Sequence, residues 1–150
     1  MVKAKDVATL FLSWANTEGD LITNLKMQKL LYYAHAWHLA NFHKPLFADR
    51  IEAWDLGPVI PSLYHDYKKY GGAPIRYKVI GKEHERFSSE QLDYLQAFYD
   101  RFIRFSAHEL VNMSHNEQPW KTAFRSRTKL IDDDSMEQYY SALLKRKRSR

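Results

Sequence analysis

No cysteine occurs anywhere in the 150 residues, so disulfides, thiol nucleophiles and thiolate metal sites are all excluded. Glycine is scarce, with five in the chain, and none forms a phosphate-cradling loop. Gly71-Gly72 follows a helical pattern instead of joining a strand to a helix start. No apolar run approaches the length needed to cross a bilayer. The amino-terminal Met1-Val2-Lys3-Ala4-Lys5-Asp6 lacks the apolar core of a signal peptide. These absences point to a soluble protein of a bacterial-type cytoplasm, with no membrane partner and no nucleotide hydrolysis.

What the chain does contain is a large apolar and aromatic stock: 45% hydrophobic residues, with ten Tyr, eight Phe and four Trp. That is enough to fill the core of one domain. The net charge of +5 comes entirely from the carboxyl end. Without Lys145, Arg146, Lys147, Arg148 and Arg150, positions 1–144 hold 18 basic against 18 acidic residues. The expected organisation is one domain over 1–144 and a basic tail over 145–150. The tail reads as a solvated end, able at most to attract nucleic acid weakly and salt-sensitively.

Periodicity predicts a mainly α fold. Val7, Leu10, Phe11 and Trp14 mark a helix over 4–16. A second helix is predicted over 23–43, capped by Thr23 and stapled by Ile22 with Met27. Its stripe is Met27, Leu30, Leu31, Ala34 and Trp37, yet Leu25, Tyr33, Ala36 and Leu39 spread apolar surface around other sides. A helix apolar on most sides belongs at the centre of a bundle. Lys26 and Lys29 are read as its polar side. Ile51 to Trp54 suggests a short strand, Leu56-Gly57-Pro58 a turn, and Pro58 or Pro61 the first turn of a third helix. Alternation from Ile75 to Ile80 reads as another strand. Ser88 with Gln91 and Ser106 with Glu109 form capping boxes that predict a fourth helix and a break near 105–106. Pro119 opens a short helix through Phe124, and Asp134 with Glu137 starts the last. The expected fold is a multi-helix bundle around the 23–43 helix with a two- or three-stranded β element.

No constellation supplies a convincing reaction centre, and no catalytic, cofactor or metal residues are assigned. His35, His38 and His43 lie close in sequence but lack the further ligands and outer partners that zinc needs. Ser114, His115 and Glu117 invite a small hydrolase or metal-dependent enzyme, the rival reading. Neighbours in sequence, however, do not make an oriented base and an oxyanion site. A helix-turn-helix over 106–124 would make the chain a nucleic-acid-binding regulator, but residues 106–120 carry only acidic and histidine charges.

Ile22-Thr23-Asn24-Leu25-Lys26-Met27-Gln28-Lys29-Leu30-Leu31-Tyr32-Tyr33-Ala34-His35-Ala36-Trp37-His38-Leu39-Ala40 resembles the opening signature of the Panacea (SocA-like) domain. Lys44-Pro45-Leu46-Phe47 and Ile51-Glu52-Ala53-Trp54-Asp55-Leu56-Gly57-Pro58-Val59-Ile60-Pro61 follow in the family's order. Tyr64 to Gly71 and Ser114-His115-Asn116-Glu117-Gln118-Pro119-Trp120 continue it, and the resemblance spans about residues 5–125. It implies an antitoxin, also known as phage-associated GepA-like, that neutralises a toxin encoded by an adjacent gene through direct contact. It also implies, for one branch, delivery of that toxin to an AAA+ protease, and it brings no agreed cofactor. Partner contact is expected at Lys26, Lys29, Trp54, Asp55, Gly57, Pro58, His115, Glu117 and Trp120. Among these, Trp54 and Trp120 suit an interface anchor. Leu30, Leu31, Tyr33 and Trp37 are expected in the core.

Overall fold

The computed structural model describes residues 1–148, which form seven α-helices and one two-stranded antiparallel sheet. Helix α1 (Ala4–Glu18) ends on Gly19 in the left-handed conformation, whose N–H returns to the Ala15 carbonyl. Helix α2 (Asn24–Phe42) begins as its sequence dictates: Thr23 Oγ1 accepts from the Lys26 N–H at 3.2 Å. Residues Met27 to Ala36 of α2 are all buried. Helices from both halves of the chain pack around it, so α2 is the axis of the bundle.

Strands β1 (Glu52–Trp54) and β2 (Gly57–Val59) pair as a hairpin, with Ala53 opposite Pro58 and Trp54 opposite Gly57. The turn falls at Asp55-Leu56, so Gly57 and Pro58 belong to β2 rather than to a turn. On the other edge of β1, the Ala53 N–H donates to the Lys129 carbonyl at 2.8 Å. The Ile131 N–H likewise donates to the Ile51 carbonyl at 2.9 Å. A late segment thus extends the sheet by a single antiparallel bridge, Glu52 opposite Leu130.

The strand expected at 75–80 is absent. Burial does alternate there, with Ile75 buried and Arg76 exposed, Tyr77 partly buried and Lys78 exposed. The segment is held at one end by the Ile75 N–H on the Ile22 carbonyl. At the other end Glu83 accepts from the Tyr77 hydroxyl and from the Ile80 and Gly81 N–H groups. Ile75 and Tyr77 line a cleft of about 300 Å³ with Leu12 and Ala15 of α1. Period-two burial records an extended chain with one covered face, and here a helix supplies the cover.

Pro61 opens helix α3 (Pro61–Tyr67). Both capping boxes form, at the starts of α4 (Ser89–Phe102) and α5 (Ala107–His115), and the chain breaks between them. Helix α6 (Gln118–Arg125) carries Pro119 in its first turn. Helix α7 (Asp133–Arg148) starts one residue before the sequence suggests, because Asp132 Oδ1 accepts from the Ser135 N–H at 2.8 Å. Lys145 to Arg148 lie on this helix. The remaining tail residues, Ser149 and Arg150, lie outside the described residues.

Two core assignments change. Trp37 is only partly buried: its ring leans on Tyr140 at 5.2 Å, with the Lys147 ammonium 5.2 Å above it. Its place in the deep core is taken by Tyr32, Tyr33 and Tyr140. Lys29 is 0% exposed, although it was placed on a polar face. The reason is that α2 has packing elements on every side, so its polar residues are buried with the rest.

Candidate binding surface

The polar residues in the first turns of α2 grip the backbone that follows the hairpin. Asn24 Nδ2 donates to the Tyr64 carbonyl at 3.3 Å. Gln28 Nε2 donates to Asn24 Oδ1, while Gln28 Oε1 accepts from the Ile60 N–H at 2.9 Å. Lys29 Nζ donates to the Pro58 carbonyl at 2.9 Å. Burial without a carboxylate partner pushes the Lys29 amine down to about 7. Gly57 makes this closeness attainable. Its φ is +103°, and a Cβ there would lie 2.8 Å from Ser114 Oγ and 2.9 Å from Lys29 Cε. Lys26 is partly buried too, and its Nζ donates to the Ile103 carbonyl at 2.7 Å, tying α2 to the end of α4. Lys29, Gly57 and Pro58 are therefore buried supports, and Lys26 is largely engaged within the fold.

The other motif residues meet at the hairpin tip. Trp120 Nε1 donates to the Trp54 carbonyl at 2.9 Å. His115 Nε2 lies 2.9 Å from the Asp55 carbonyl, which can only accept, so this nitrogen carries the proton. The His115 ring lies 4.2 Å from Trp120, which stacks on Phe124 at 4.6 Å. Trp54 packs edge-on against Tyr64 and donates Nε1 to Glu52 Oε1. These contacts fix the backbone of a turn whose Leu56 is 57% exposed. Beside it lies an open groove of about 650 Å³, walled by Leu25, Trp54, Leu56, Tyr64 and Phe124.

Glu117 points elsewhere. Its Oε1 accepts from the Tyr33 hydroxyl at 2.5 Å and the Tyr140 hydroxyl at 2.8 Å. Burial raises its carboxyl above the usual range against the opposing pull of those two phenols. Among the described residues His115 and Glu117 share no hydrogen bond, and the buried Ser114 hydroxyl donates to the Val111 carbonyl. The three neighbours in sequence thus serve three separate neighbourhoods. The α2 histidines do the same: His35 pairs with Asp133, His38 with the Lys44 carbonyl and His43 with Glu137. No group of three or more His, Asp or Glu suited to a metal ion occurs among the described residues. No helix among them is long and apolar enough to cross a membrane.

Sequence reasoning passed over Leu56 and Tyr64 as surface residues. An exposed leucine inside an aromatic-flanked hairpin was the available signal. Tyr140 reads from sequence as an apolar-face residue of the last helix, and no local pattern connects it to Tyr33 and Glu117.

Comparison with known proteins agrees with the motif. The family described as "Antitoxin SocA-like, Panacea domain" matches residues 27–121, inside the span over which the resemblance was drawn. The chain is 34% identical over 129 residues to Antitoxin SocA of Caulobacter vibrioides (strain NA1000 / CB15N), covering 79% of this chain and 69% of that protein. No solved structure matches it. The chain belongs to the SocA-like Panacea-domain family of antitoxins.

Proposed function

We propose that this chain neutralises a toxin encoded by an adjacent gene through direct protein–protein contact, acts in the cytoplasm and is not an enzyme. The observation that carries the reading, beside family membership, is the pinned hairpin tip. Trp120 and His115 hold the backbone of Trp54 and Asp55, so Leu56 stands out from a turn that needs no ordering on binding. A rigid apolar protrusion beside an aromatic groove is an economical anchor for a protein partner.

Co-expression with the neighbouring gene tests this directly. The chain should restore growth and co-purify with that gene's product. Leu56→Asp should weaken both without moving the Tm, since this side chain lies outside the core. Failure of rescue by the parent chain overturns the antitoxin reading. Turnover lost on His115→Ala would favour the hydrolase rival. Delivery of the toxin to an AAA+ protease is a separable step: toxin half-life shortens in the presence of the chain if delivery operates, and is unchanged if binding alone suffices.

A further inference from the structure

A second open groove, about 730 Å³ in volume, runs between α2, α4 and α7 on a part of the molecule that the hairpin does not reach. Trp37, Phe42, Tyr94, Phe105, Leu143 and Leu144 wall it, and each is only partly buried. Phe98 and Phe102, stacked at 4.4 Å, close its base. Water against so much aromatic surface is unfavourable, and a contiguous patch of this kind marks an interaction site.

The groove also holds an acidic side chain. Glu117 lines it, and both phenols that reach Glu117 donate to the same oxygen, Oε1. Oε2 accepts no hydrogen bond from the described residues. The nearby Lys147 ammonium rests over the Trp37 ring, and its charge acts on Glu117 without an ion pair among the described residues. Around the groove Glu90, Asp93 and Glu117 face Arg101 and Lys147, an acidic surplus. A carboxylate beside aromatic walls attracts a further cation more strongly than one in open water. A basic side chain answers both features: its stem packs on the rings and its head makes a charge-assisted bond.

We propose that this groove docks an apolar segment of the toxin that carries one basic side chain, with the cationic head on Glu117 Oε2 and the apolar residues along the aromatic trough. The proposal rests on the antitoxin reading above. It assigns the toxin two contacts, the hairpin tip and this groove.

Two arms test it. The first uses 4-phenylbutylguanidinium and 4-phenylbutyrate as probes, titrated against the full chain while Trp and Tyr signals are followed by NMR. The guanidinium should bind about tenfold or more tightly than the carboxylate, and Glu117→Gln should remove that preference. The amide oxygen of Gln can still accept from Tyr33 and Tyr140, so the fold is preserved. Equal binding of the two probes, or none, overturns the charge pairing. The second arm measures affinity for the neighbouring gene's product. Ala97→Trp, which fills the groove from an exposed position on α4, and Glu117→Gln should each weaken it by about tenfold at unchanged Tm. Parent-like affinity in both variants, with Leu56→Asp still impaired, overturns the groove and leaves the antitoxin reading standing. No affinity in the parent chain overturns that reading and this occupant together.

Discussion

The amine of Lys29 donates to the carbonyl oxygen of Pro58 at 2.9 Å in a site closed to water, joining the middle of α2 to β2. Because burial lowers this amine to about 7, stability depends on pH. Near neutral pH and below, the unfolded chain carries the proton freely, while the folded chain carries it at the cost of desolvation. As pH rises the folded chain releases it first, so the unfolded chain binds more protons and unfolding becomes harder. The expected gain is about 2 kcal/mol between roughly pH 7 and 9. Above about pH 10 the trend reverses, since buried Tyr32, Tyr33 and Tyr140 keep protons that unfolded phenols lose. Chemical denaturation across this range should show the rise in the parent chain and a flat response in Lys29→Met. Matching slopes would mean that the amine is solvated.

Gly57 offers a sharper test of the same packing. Gly57→Ala adds a methyl where Ser114 Oγ and Lys29 Cε already lie within 3 Å, at a φ of +103°. A loss of about 2–4 kcal/mol is expected, combining overpacking with backbone strain. Gly72→Ala meets nothing within 4 Å and has no positive φ, so it should be neutral or slightly stabilising. Similar melting of the two variants would place β2 away from α2.

Partial burial sets the cost of damaging Trp37. Trp37→Ala should cost about 1–2 kcal/mol, below the roughly 3–5 kcal/mol of a fully enclosed ring. Tyr32→Ala, which is fully buried, should reach the higher range. Lys26→Ala removes the bond to the Ile103 carbonyl and should cost about 0.5–1.5 kcal/mol. Thermal unfolding by circular dichroism ranks the three, and a Trp37 effect as large as that of Tyr32 would contradict the open groove.

At the hairpin, Trp120→Phe keeps an aromatic ring against Phe124 but loses the donor to the Trp54 carbonyl. The expected stability loss is about 1 kcal/mol. Toxin affinity should fall further than that if the tip must be held rigid, because the freed turn has to be ordered on binding. A calorimetric titration alongside a melt separates the two effects.

Local chemistry was readable without the fold. Thr23, Ser88 and Ser106 cap helices through neighbours three residues away, so those helix starts follow from sequence order alone. The central place of α2 was legible too, because a helix apolar on most sides has to be enclosed. Helix centrality should also have warned that Asn24, Gln28 and Lys29 needed internal partners. Which partners they found was decided by tertiary structure, since Pro58, Ile60 and Tyr64 reach α2 only after the hairpin folds back. The same holds for Glu117. Its neighbours in sequence suggested a pairing with His115, but the chain break between α5 and α6 sends the two side chains apart, and Tyr33 and Tyr140 come from helices 84 and 23 residues away in the chain. The alternation at 75–80 fixed an extended, one-sided segment; whether a strand or a helix covered it was a matter of long-range packing. Caps and periodicity are set by bonds within a few residues, whereas burial of a charge and the lining of a groove are set by elements that meet only when the bundle closes.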